Sequence, residues 1–132
     1  MALAGGLVLL VVAVGFALLP GAETKRVVQA PITAPKGRVT VEVLNGTQRQ
    51  GAARTATRML RRSGLDVVFL GNADSMSPKT RVLARRGDSV RARYVAAALG
   101  SGAVAVEIDT FRRVDVSVIL GEDFRPSPEI HP

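Results

Sequence analysis

The eighteen residues from Ala2 to Leu19 carry no charge and consist almost wholly of Leu, Val, Ala and Gly. As a helix rising about 1.5 Å per residue, such a run reaches roughly 27 Å, close to the hydrocarbon thickness of a bilayer. Residues 1–20 are therefore read as a transmembrane anchor that spans the cytoplasmic membrane through residues 2–19. A cleaved signal peptide is the competing reading, and it calls for a basic stretch ahead of the run and a small-residue cleavage site. Nothing basic precedes Ala2, and Gly21-Ala22-Glu23 is a weak site, so a retained anchor is expected. Lys25, Arg26, Lys36 and Arg38 all lie on the C-terminal side of the run. Counted alone, they vote for leaving the rest of the chain in the cytoplasm.

All 18 basic and all 11 acidic residues lie beyond Pro20, so the net charge of +7 belongs to the part after the anchor. The chain has no Cys, which excludes a disulfide framework, a thiol nucleophile, Cys-ligated zinc and iron–sulfur clusters. Residues 21–37, with Pro31 and Pro35, form a Pro-containing linker that sets a domain off the bilayer. Residues 125–132 hold three prolines and are expected to be a disordered tail.

Between these lies the patterned sequence of one small domain, residues 38–124. Val39, Val41 and Val43 alternate with Thr40 and Glu42, the period of a half-buried strand. Asn45-Gly46 marks a turn, and Ala52, Ala53, Ala56, Met59 and Leu60 give a helix from Gln48 to Ser63 that Gly64 stops. A strand at Leu65–Leu70 and another at Thr80–Arg85 come next. Asp88 or Ser89 then caps a second helix, with Val90, Tyr94, Val95, Ala98 and Leu99 as its apolar face and Gly100 as its end. Two alternating runs, Val104–Ile108 and Val116–Leu120, complete the order βαββαββ. Strands with one polar face predict an α/β two-layer sandwich, one sheet with two helices on one face, preceded by the transmembrane helix.

Few residues in the domain carry chemistry. Gly46 and Gly51 reproduce half of a phosphate-binding P-loop, but Ala52 and Ala53 stand where Lys and Ser/Thr are required, so nucleotide hydrolysis is not expected. Two readings of Asn45, Gly46 and Thr47 remain: an anion site on backbone N–H groups at the helix start, or turn geometry with Thr47 as the helix cap. Arg54, Arg58, Arg61 and Arg62 share the helix face opposite the alanines. They belong to a stretch, Arg49 to Arg93, holding eleven basic and three acidic residues. A solvated face and an electrostatic site for a polyanion are the alternatives for these four. Of Phe69, Tyr94, Phe111 and Phe124, three sit where core packing would use them, which leaves too few stacking platforms for sequence-specific nucleic-acid binding. Glu107, Asp109 and Asp115 are close enough to hold a divalent ion, yet Arg112 and Arg113 lie beside them, so no metal is expected. His131 stands alone in the tail. No triad, carboxylate dyad or cofactor fingerprint appears, and a non-enzymatic protein without a cofactor is expected.

The run Val39-Thr-Val-Glu-Val-Leu-Asn-Gly-Thr47, with Gly51-Ala-Ala, Ala56, Met59-Leu60, Gly64-Leu65-Asp66-Val67 and Gly71-Asn72-Ala73, resembles the LytR C-terminal domain family. A second block agrees: Thr80-Arg81-Val82, an Ala-rich helix to Leu99-Gly100, and Asp115-Val-Ser-Val-Ile-Leu-Gly-Glu-Asp-Phe124. In that family the domain commonly follows a catalytic LytR-CpsA-Psr domain that transfers polymers onto the cell wall, and it also occurs alone behind an anchor. The chain has no room for the catalytic domain, so that activity is not carried over. The resemblance implies an extracytoplasmic accessory domain in envelope assembly, reversing the vote of the charges. Its expected partners are cell-envelope enzymes or anionic envelope polymers. A protein-interaction adaptor docking through a sheet edge or the Val43–Thr47 loop is the first alternative. A nucleic-acid-binding module, should the domain face the cytoplasm, is the second.

Overall fold

A computed structural model describes residues 33–127. The expected membrane anchor lies outside the described residues, as do His131 and the rest of the tail from residue 128. Among the described residues no helix is long and apolar enough to cross a membrane.

The elements are β1 (Thr40–Asn45), α1 (Ala52–Arg62), β2 (Asp66–Asn72), β3 (Arg81–Ala84), α2 (Ser89–Leu99), β4 (Ala103–Val106) and β5 (Val116–Leu120). This is the expected order. They form one five-stranded sheet, β2-β1-β5-β3-β4. β1 is parallel to both β2 and β5, β3 is parallel to β4, and β3 and β5 meet antiparallel. The domain is thus two βαβ units of opposite direction with β5 between them. Parallel crossovers share one hand, and two units running oppositely on opposite sides of β5 therefore place their helices on the same face.

That face is the core. Val41, Val43, Val67, Val82, Ala84, Val116, Val118 and Leu120 meet Ala52, Ala53, Ala56 and Leu60 of α1 and Ala92, Val95 and Leu99 of α2. Small alanines let α1 sit close to the sheet, and each buried leucine contributes about 1.5–3 kcal/mol relative to exposure. The helix stops are glycines in the left-handed region. Gly64, at φ +79°, donates its N–H to Arg61 O at 3.0 Å, and Gly100, at φ +81°, closes α2 on Ala96 O at 2.9 Å. Asp88 is the cap of α2, its carboxylate accepting from Val90 N at 3.0 Å and Arg91 N at 3.3 Å.

Several expectations need correction. α1 begins at Ala52, four residues later than the pattern predicted, because the chain first makes a loop of its own from Gly46 to Gly51. Val90 is exposed and Ala92 is buried instead, since the buried stripe of α2 runs through Ala92, Val95 and Leu99 at helical spacing and leaves Val90 outside it. β4 stops at Val106 and all four of its residues are exposed, although they alternate like a half-buried strand. β4 is an edge strand, so its side chains have sheet neighbours on one side only. Phe69 and Phe111 are exposed, which leaves Tyr94 and Phe124 as the two aromatics used in packing. The polar face of the sheet is also not open at its centre. Glu42, Arg85 and Ser117 are buried there with Leu44 and Leu83.

Candidate functional site

The sheet has two ends, and its register assigns each candidate residue to one of them. Thr40, Asp66 and the start of β5 lie together at the end where the linker joins, with the last residues of β3 and β4. Asn45, Asn72 and Leu120 lie at the far end, with the start of α1.

At the far end, Asn45, Gly46 and Thr47 build a closed clasp. Asn45 Oδ1 accepts from Thr47 N at 2.9 Å and from Thr47 Oγ1 at 2.6 Å, and Asn45 Nδ2 donates to Arg49 O at 2.9 Å. Thr47 Oγ1 accepts from Arg49 N at 3.0 Å, so the threonine caps this loop and not the helix. The α1 cap is Gly51, at φ +81° and without a side-chain bond. Gly46 donates to Leu120 O at 2.9 Å, and a Cβ there would lie 2.6 Å from that oxygen, so only glycine fits. The Gln48 N–H is taken by Glu122 Oε1 at 2.8 Å, and the Arg49 guanidinium donates to Phe124 O at 2.7 Å. Three N–H groups that an anion would use are already bonded, one of them to a carboxylate. The loop's visible work is to fasten β1 to the segment after β5.

Beside the clasp, a depression of about 460 Å³ opens at the ends of β1 and β2, with Asn45, Gln50, Arg54 and Asn72 in its wall. Arg54 is the one sequence-predicted arginine there. Arg54, Arg58, Arg61 and Arg62 are all exposed along α1, opposite buried Ala52, Ala53, Ala56 and Leu60. The four share one helix face, and Arg54 shares the depression with Asn45. Arg61 also donates to Val67 O at 3.0 Å, and Arg61 and Arg62 in the last turn complement the negative end of the helix dipole. Arg49 holds the clasp, Arg85 is buried, and Arg91 meets Asp115 at 3.1 Å.

The buried polar cluster on the second face escapes sequence reasoning. Ser117 Oγ donates to Glu42 Oε1 at 2.6 Å and accepts from Arg85 Nε at 2.8 Å. Arg112 reaches across to the same Glu42 oxygen at 2.5 Å, and Arg85 meets Glu107 Oε1 at 3.1 Å. The hydrogen bond from Arg112 to Glu42 holds that guanidinium still more firmly protonated, against the cost of its burial. The available signal was Glu42 in the middle of a valine strand, a position that demands a partner if both faces are covered. Asp115 is a second hub, bonded by Thr40 N at 2.9 Å, Thr40 Oγ1 at 3.1 Å and Arg91. Burial resists its ionisation, but the bonds from Thr40 and the charges of Arg91 and Arg86 prevail and hold its carboxyl below the usual range. Glu107, Asp109 and Asp115 each face an arginine, and among the described residues no group of three ligating side chains is placed to hold a metal.

These features define a class: a small two-layer α/β domain with several of its carboxylates engaged by arginines and a cationic helix on its surface. The model of the family described as LytR cell envelope-related transcriptional attenuator matches residues 38–124, and the chain belongs to that family. No curated protein matches. The fold is similar to the soluble domain of a conserved hypothetical secreted protein, the Rv2700 ortholog of Mycobacterium marinum, at 22% identity and a TM-score of 0.49. The match covers 68% of this chain and 63% of that one. The solution structure of the C-terminal domain of Rv0431 matches at 24% identity and a TM-score of 0.38, over 70% of this chain and 79% of that one.

Proposed function

We propose that the chain is a membrane-anchored, non-catalytic binding and scaffold protein of the bacterial cell envelope, with its domain outside the cytoplasmic membrane. The exposed Arg54, Arg58, Arg61 and Arg62 contact anionic envelope polymers and hold them, or the enzymes that handle them, near the bilayer. One observation carries this reading: α1 puts four arginines on its solvent face while the opposite face is buried against the sheet. The envelope association of the family supports it. Replacing all four with Gln in the full chain should weaken binding to a phosphate-bearing wall polymer roughly fourfold or more, at about 0.2–1 kcal/mol per exposed ion pair. The wild-type affinity should fall as salt rises. Unchanged binding of the variant at low salt would reduce the four to a solvated face.

A different observation favours the adaptor reading. β2 and β4 are both open edges, with exposed Val68, Phe69 and Leu70 on one and Val104 and Val106 on the other, which suits a partner strand. A partner retained at high salt and by the Gln variant would select it. Nucleic-acid binding has less support, because the exposed Phe69 and Phe111 lie toward opposite edges and form no stacking track.

A further inference from the structure

The end of the sheet where the linker joins also carries the most exposed apolar side chains among the described residues. Phe111 is 95% exposed and Ile108 66%, directly after β4. Neither projects from a loose loop. Asp109 N donates to Arg85 O at 3.1 Å, Phe111 N donates to Asp109 Oδ1 at 3.0 Å, and Arg112 ties the turn to Glu42 and to Asp109. Ile108 rests over the neighbouring turn, its Cδ1 being 3.8 Å from where a Cβ on Gly87 would stand. A braced turn thus holds two large apolar groups in water, beside exposed Arg113 and Arg86, the latter also 3.5 Å from Asp115, while the turn's carboxylates Glu107 and Asp109 are met by Arg85 and Arg112. Apolar tips with cations next to them are the chemistry of a surface that enters the headgroup region of an anionic membrane.

The position of the linker supports the same partner. β1 begins at this end, so residues 20–38 lead from here back to the uncharged run Ala2–Leu19. Even fully extended at about 3.1 Å per residue, a linker of that length spans no more than about 60 Å. A contact too weak to hold a free domain on a bilayer is then made effectively intramolecular. The far end, with Met76 and the clasp, lies across the sheet from this turn.

We propose that the turn bearing Ile108 and Phe111 is a membrane-docking wedge, inserting both side chains at headgroup level while Arg86 and Arg113 meet lipid phosphates. This rests on the anchored reading, but the two are tested by separate readouts. The chain contains no Trp, so Phe111→Trp and, separately, Ile108→Trp each give a single fluorophore in the full chain. In vesicles of brominated phosphatidylcholine with phosphatidylglycerol, each should show a blue-shifted emission. Roughly twofold quenching should accompany it, as for a side chain about 5–10 Å into the headgroup and acyl boundary. Met76→Trp in the same vesicles should stay unquenched. Unshifted and unquenched emission at 108 and 111 overturns the wedge. A blue shift without bromolipid quenching also overturns it, because a second copy or another protein surface then covers Phe111. Resistance of the vesicle-bound chain to alkaline carbonate reports the anchor independently. If carbonate strips the chain, the anchor falls, while quenching measured before extraction still decides the wedge.

Discussion

Thr57 is buried inside α1, and its hydroxyl has no hydrogen-bond partner among the described residues. A buried unsatisfied hydroxyl costs about 1–3 kcal/mol, whereas an apolar group of the same shape costs nothing of that kind. Thr57→Val should therefore stabilise the protein by about 1 kcal/mol, raising Tm by roughly 4–8 °C in a domain of this size. A lower Tm in thermal unfolding would show that the hydroxyl is satisfied. The position also shows where sequence reading fails at the residue scale. A helical period assigns Thr57 to the edge of the apolar stripe but cannot say whether its oxygen finds a partner. Ser117 and Glu42 pose the same difficulty, since each looks like an outward-facing polar residue until the register pairs β1 with β5 and Arg85 and Arg112 arrive from elsewhere. Contacts made by residues 70 or 75 apart in sequence leave no local signature.

Elements were far more legible, because their ends are set by local chemistry. Gly64, Asp88 and Gly100 bound the helices as their residue types dictate. The start of α1 was misplaced for a non-local reason: Thr47 looks like a cap, yet its oxygen serves the loop that fastens β1 to the chain after β5. That fastening has a strict steric requirement at its other side. A Cβ on Gly121 would lie 2.2 Å from the carbonyl carbon of Lys79, inside backbone with no room to yield. Asp123 then grips Thr80 through N–H and hydroxyl, both at 2.8 Å. Burial opposes ionisation of Asp123, but these bonds hold its carboxyl below the usual range. Gly121→Ala should cost about 3 kcal/mol or more. Gly51→Ala, at φ +81° but with open space where its Cβ would sit, should cost only about 1 kcal/mol. Denaturant unfolding of the two variants measures the difference, and equal losses would remove the clasp from the account.

At the scale of the whole molecule, the sheet turns a linear sequence into a domain with two distinct ends and one cationic helix between them. The order βαββαββ was legible from periodicity, but the strand order β2-β1-β5-β3-β4 was not, because β5 inserts between units that precede it in sequence. That insertion brings the Asp115 hub and the Phe111 turn to the end where the linker joins. It also sends the chain out at the opposite end, near Phe124. The central claim is that this domain stands outside the cytoplasmic membrane, held by the apolar segment. The chain has no Cys, so Ser127→Cys, exposed beyond the far end, introduces a single reactive thiol. Treating intact cells with a membrane-impermeant maleimide should label the full-length variant, and permeabilisation should add little. Labelling that appears only after permeabilisation would place the domain in the cytoplasm and contradict the account.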